Sequence, residues 1–161
     1  MTRNVLLAIR LREVFLEGKW IANTNYKEQL LSLSWEEAIH KVDPLNNIAL
    51  LTFHVNYYLK GLLHVMNGGR LEIRDAFSFD LPEIKAEADW SNLVTELLSN
   101  ARLFSDKVEQ MAEEILDQVF VEEKYGNYAR NIEAIIEHSY YHLGQISLLK
   151  KIITNRKSQD L

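Results

Sequence analysis

Cysteine is absent from the 161-residue chain. Its absence excludes disulfides and thiolate metal sites, and it fits a reducing, cytoplasmic setting. Two prolines and six glycines are too few to punctuate many short strands, so long helices are favoured. No long apolar run is present. Charges interrupt the opening stretch "MTRNVLLAIRLREVFLEGKW", so neither a signal peptide nor a membrane span is expected. No Lys/Arg cluster stands out and the formal net charge is −5, which argues against a nucleic-acid partner. Internal repeats and low-complexity tracts are also missing. What remains is a chain with 47% hydrophobic and 25% charged residues, ordinary for one globular domain over residues 1–161 with a real core.

Periodicity supplies the organisation. Residues 3–17 read as a first helix with Val5, Leu6, Ile9, Phe15 and Leu16 on its buried side. Residues 18–33 lose the pattern. "SWEE" at 34–37 is a capping box in which Ser34 caps and Glu37 reaches back, opening a short helix that ends before Pro44. A second long helix is expected from about Leu45 to Met66, closed by "NGG" because glycine accepts the left-handed conformation that ends a helix. Its inner stripe is Leu51, His54, Tyr58, Gly61 and Val65. Residues 70–89 read as an irregular connection in which "RLEIR" has the alternation of a small strand. The third helix carries Leu93, Leu97, Ala101, Phe104, Val108, Met111 and Ile115, with Asp89 as its N-cap. A loop over 117–127, with a brief extended piece at "VFV", leads to a fourth helix from about Asn127 to Ile153. Its seam is Asn131, Ile135, His138, His142, Gln145, Leu149 and Ile152. Four long amphipathic helices imply an all-α four-helix bundle, with up-down-up-down order as the default.

The five histidines divide into two groups. His138 and His142 are four positions apart on the seam of the fourth helix, so both rings leave nearly the same face about 6 Å apart in height. Two such imidazoles can converge on one metal ion. Buried among Leu and Ile without partners they would be costly, so a metal or specific hydrogen bonds must satisfy them. The spacing alone is weak evidence, and core histidines satisfied by hydrogen bonds are the plain alternative. His54, on the inner stripe of the second helix, makes a third ligand. Three neutral imidazoles leave positions open for water or substrate, as in a catalytic site. The donor type suits Zn, Ni, Fe or Cu without choosing among them. His40 and His64 read as structural or solvent-facing.

"LLTFHVNYYL" on the second helix and "HSYYHLGQI" on the last resemble the DinB-like superfamily, whose four-helix proteins hold a metal with one His of the second helix and an HxxxH pair of the fourth. The Gly-Gln-Ile tail matches along with the histidines, and "DPLNNIA" has the lead-in to the earlier His. The first and third helices match in pattern only. The resemblance implies His54, His138 and His142 as metal ligands, and an activity on a small molecule. That activity is either transfer or isomerisation using a low-molecular-weight thiol, or metal-dependent hydrolysis. It also implies a homodimer.

Under the first activity the ion would lower the pKa of an incoming thiol; under the second it would supply hydroxide and polarise a carbonyl. Neither needs a protein nucleophile. Glu137 points about 100° away from His138 and reads as a solvated helix residue. Tyr58 and Tyr141 are candidates for a polar role near the metal, against packing at the core or its rim. Gln145 can orient a ligand or bond a neighbouring helix. Three readings follow. They are a metal-dependent enzyme, a metal-binding helical bundle with an interaction or stress-response role, and a bundle whose histidines only hydrogen-bond.

Overall fold

The computed structural model describes residues 1–159. Six helices make up most of it. They are α1 (Arg3–Phe15), α2 (Tyr26–Leu30), α3 (Trp35–Ile39), α4 (Ile48–Met66), α5 (Glu87–Gln110) and α6 (Tyr128–Gln159). No strand occurs among the described residues, and the expected extended piece at "VFV" is a single bridge between Val119 and Asn127.

Side-chain caps decide where these helices begin. Ser34 Oγ accepts from the Glu37 amide at 3.3 Å while the Glu37 carboxylate accepts from the Ser34 amide at 2.9 Å, so the capping box of α3 is present as read. α4 starts at Ile48, three residues later than expected, because Asn47 Oδ1 accepts from the Leu50 amide at 2.8 Å and fixes the first turn there. Asp89 is not the N-cap of α5. It lies inside the first turn and reaches back, its Oδ2 accepting from the amides of Lys85 (2.9 Å) and Ala86 (3.1 Å). α2 was missed, since five residues are too few to show a period. Its cap carries the signal, because Asn25 Oδ1 accepts from the Glu28 amide at 2.9 Å and "NYKE" has the spacing of "SWEE".

The four long helices close into a ring in the order α1, α5, α4, α6. α1 is antiparallel to α5: Asn4 Nδ2 donates to the Glu109 and Met111 carbonyls, and Arg12 pairs with Asp106 and Glu109. α4 is antiparallel to α6, with His54 beside His142 and Tyr58 beside His138. α4 and α5 run parallel. Both N-termini meet α3, where Asn47 Nδ2 donates to the Ile39 carbonyl and the Trp35 amide donates to Glu87. The chain therefore runs up, down, down, up, which corrects the up-down-up-down default. The cause is the connection 67–86. After Gly68 turns the chain at φ 90°, this segment travels back along α4. Ile73 lies against Gly61, the Arg74 amide donates to Tyr57, the Tyr58 hydroxyl donates to Asp75, and His54 meets the Ser78 carbonyl. A Cβ on Gly61 would fall 2.4 Å from Ile73 Cγ1, so glycine is what lets the segment approach. "RLEIR" is extended but pairs with no strand, and Leu71 and Ile73 pack on the core instead.

The core is one cluster with Phe15, Tyr26, Trp90, Leu97, Phe104 and Ile136 among its largest members. Two helices present it a different face from the one expected. On α1 the buried line is Asn4, Leu7, Ala8, Leu11, Val14 and Phe15. Phe15 and Leu16 are buried as read, but Val5 is half-buried, Leu6 is 46% exposed and Ile9 38%. On α6 the deepest positions are Ile132, Ile136, Ser139, Leu143 and Ile146, about 100° round from the expected seam. That seam runs along the edge of the core, with Ile135, His142 and Leu149 buried as expected and Asn131, His138, Gln145 and Ile152 half-buried. α5 ends at Gln110, so Met111 caps it and Ile115 belongs to a 3₁₀ turn whose buried residue is Leu116.

Asp89→Ala frees two amides at the start of α5. It is expected to cost about 1 kcal/mol, read as a lower urea midpoint at unchanged m-value. An unaltered midpoint would show that the reach-back bonds contribute nothing.

Candidate metal centre

His54 comes from the middle of α4, and His138 and His142 come from one face of α6. Ring centroids are 5.0 Å apart for His54 and His138, 4.8 Å for His54 and His142, and 4.5 Å for His138 and His142. One nitrogen from each lies within 4.8 Å of the others. The antiparallel pairing of α4 and α6 places these three residues together although His54 is remote in sequence.

Hydrogen bonds fix which nitrogens face inward. His54 Nδ1 is 3.2 Å from the Ser78 carbonyl oxygen. An oxygen there accepts, so Nδ1 carries the proton and Nε2 keeps a bare lone pair. Phe79 stacks on the same ring at 4.0 Å and 12°, holding its plane. His142 Nδ1 is 2.6 Å from Gln145 Oε1, which fixes its tautomer by the same logic. His138 Nε2 is buried with no hydrogen-bond partner. An orphaned buried nitrogen costs about 1–3 kcal/mol, and a cation between the three rings would remove that cost. Metal–nitrogen bonds of about 2.0–2.1 Å require each ring to close in by under about 1 Å. The residues fit a divalent transition metal, with no carboxylate or thiolate among the three ligands.

Burial governs the electrostatics. His138 is pushed down to about 4 by desolvation and then by the neighbouring His142 and His54. His54 is lowered by desolvation and by His142, partly opposed by the Ser78 hydrogen bond. His142 is lowered by desolvation against the opposing bond to Gln145. All three are therefore neutral near pH 7, the form that binds metal.

Two cavities lie between α4 and α6, and one of them reaches the cluster. One, of about 570 Å³, is lined by His138 together with Tyr58, Asp75, Asn131 and a mainly apolar wall. The other, of about 400 Å³, is lined by Gln145, Leu51, Leu148 and Leu149 and by none of the three histidines. Tyr58 belongs to the site, its hydroxyl donating to Asp75 Oδ1 at 2.8 Å. Burial and then Asp75 raise its pKa, so it stays protonated. Tyr141 is 65% exposed and touches only the outer side of the site, its ring 4.9 Å from His142. His40 and His64 are exposed and stand apart from the cluster.

Sequence reasoning missed Asp75, Ser78 and Phe79, all on the connection that returns along α4. Their one signal is "DAFSFD", two aromatics in an otherwise polar stretch. No family model, curated protein or solved structure matches the chain. No helix among the described residues is long and apolar enough to cross a membrane.

The lowered pKa values fix the sign of a pH effect. In the unfolded chain these imidazoles titrate near 6.5; in the folded chain they titrate lower. Between those values the unfolded chain binds more protons, so stability rises with pH. It is complete above about 6.5 and is lost as pH falls toward 4. Each group contributes a slope of at most about 1.4 kcal/mol per pH unit. Urea midpoints of metal-stripped protein should fall from pH 7.0 to 5.0, and His138→Ala should flatten that fall. A wild-type midpoint constant over this range would contradict neutral burial of the three rings.

Proposed function

We propose that this chain is a divalent-metal-dependent enzyme of the DinB-like four-helix type, acting on small molecules. The observation that carries the reading is the meeting of three neutral imidazole nitrogens within 4.8 Å, one of them buried and unpartnered, beside a cavity. The DinB-like assignment rests on the "HxxxHLGQI" segment and on His54 facing it from α4. Addition of a low-molecular-weight thiol to an electrophile and metal-dependent hydrolysis would both use these three ligands and the cavity beside His138.

A bound ion supplies a Lewis acid that makes thiolate available at neutral pH. The chain's own residues prepare for it. Ser78 and Gln145 keep the protons of His54 and His142 on Nδ1. Phe79 holds the His54 ring, and a mainly apolar wall lines the cavity beside His138. Tyr58 keeps its proton and offers it to Asp75.

The test is a thermal melt of metal-stripped protein with Zn, Ni, Fe and Mn added separately at pH 7.5 and 5.5. An ion a hundredfold above its dissociation constant stabilises by about 2.7 kcal/mol, a rise of several degrees in a domain of this length. The gain should shrink at pH 5.5, where protons compete for the imidazoles. His138→Ala or His142→Ala should abolish most of it, while His40→Ala and His64→Ala keep full metal content. A melting temperature unmoved by every metal at pH 7.5 would overturn the proposal. With a metal bound, turnover of an electrophile only when a small thiol is added supports transfer, and thiol-independent cleavage of esters or amides supports hydrolysis.

A further inference from the structure

The cavity beside His138 has one charged group on its wall, the Asp75 carboxylate. Leu62, Leu71, Ile73, Phe120 and Ile135 supply the apolar remainder, with Tyr58 and Tyr125 adding aromatic surface. The Tyr58 hydroxyl pins Oδ1, and Oδ2 has no protein partner. No ion pair among the described residues involves Asp75. Lys124, next to Tyr125 in sequence, is engaged by Glu122 at 3.0 Å. The cavity thus presents, at its solvent-exposed edge, a negative charge held in place by Tyr58 and without a counterion among the described residues. An anion would be repelled, and a neutral donor would gain a hydrogen bond from Asp75 without the charge attraction. A cation can take a charge-assisted hydrogen bond at Oδ2 while the aromatic rings favour positive charge nearby.

We infer that this cavity takes a small molecule with an apolar body and one protonated amine, the amine on Asp75 and the body against Leu71, Ile73 and Ile135 on the way to His138. This names the substrate class for one flank of the groove and rests on the reading of that groove as a substrate site.

Three probes that share a phenylethyl body test it: 2-phenylethylamine, 2-phenylethanol and 3-phenylpropionate. Each is titrated into metal-stripped and zinc-loaded protein at pH 7.5, and methyl NMR shifts of Leu71, Ile73 and Ile135 are followed. In metal-stripped protein the amine should bind about fivefold more tightly than the alcohol, the size of a partly exposed charge pair, and the carboxylate more weakly than either. Asp75→Asn keeps an acceptor for Tyr58 and so preserves the wall. It should bring the amine-to-alcohol ratio to about one while leaving the alcohol's affinity unchanged. Equal binding of amine and alcohol, or a ratio indifferent to Asp75→Asn, would overturn the inference. The metal-stripped arm keeps the two readings separable. An amine preference in a chain that binds no metal removes the enzyme proposal and leaves this site standing, and zinc binding without the preference does the reverse.

Discussion

The return of residues 67–86 along α4 is the constraint on which the arrangement depends. Gly61 interrupts a helix at a cost of about 1 kcal/mol relative to Ala. In exchange the Ile73 side chain settles onto bare backbone, and covering an aliphatic side chain of that size contributes about 1.5–3 kcal/mol when complete. Because the segment travels the length of α4, α5 begins again at the α3 end and runs parallel to α4. The helix order follows from that one placement. So does the chemistry beside His54, since Asp75, Ser78 and Phe79 reach the site on the same segment.

The three imidazoles are the other demand on the fold. They are set at the margin of the core, His138 and His142 lying about 100° round α6 from the line of Ile132, Ile136 and Leu143 that fills its centre. At the margin a nitrogen can be closed off from water, as His138 Nε2 is, while a neighbouring cavity still opens to it. Deeper placement would leave no approach for a small molecule; an outward turn would leave the rings solvated and easily protonated. The α4–α6 groove lies between those limits.

Much of this was legible in the residues themselves. The capping box at Ser34, the glycine turn after Met66 and the shared face of His138 and His142 all follow from local rules or from one helical period, while the nearness of His54 to that pair needs the bundle as well. What was hidden has identifiable causes. α1 reads "VLLAIRLREVF", apolar on most sides, so its phase was ambiguous and Leu6 and Ile9 were turned inward by mistake. α6 has the same ambiguity, because Ile135 and Ile136 are both apolar and both buried, so its buried side is wider than the single seam. The partner of an irregular segment has no periodic signature, so neither the contacts of Asp75, Ser78 and Phe79 with α4 nor the departure from the default helix order can be read from spacing.

One consequence concerns the unfolded chain. His54 and His138 are roughly eighty residues apart, and everything between them, including α5, forms a single loop. A ligand gripping both rings acts as a cross-link across that loop, and closing so long a loop removes considerable freedom from an open chain. An unfolded chain gains no preformed grip, so the ring closure is made only once α4 and α6 have met. In that respect the histidine cluster resembles a removable staple in a chain that has no cysteine with which to make a permanent one.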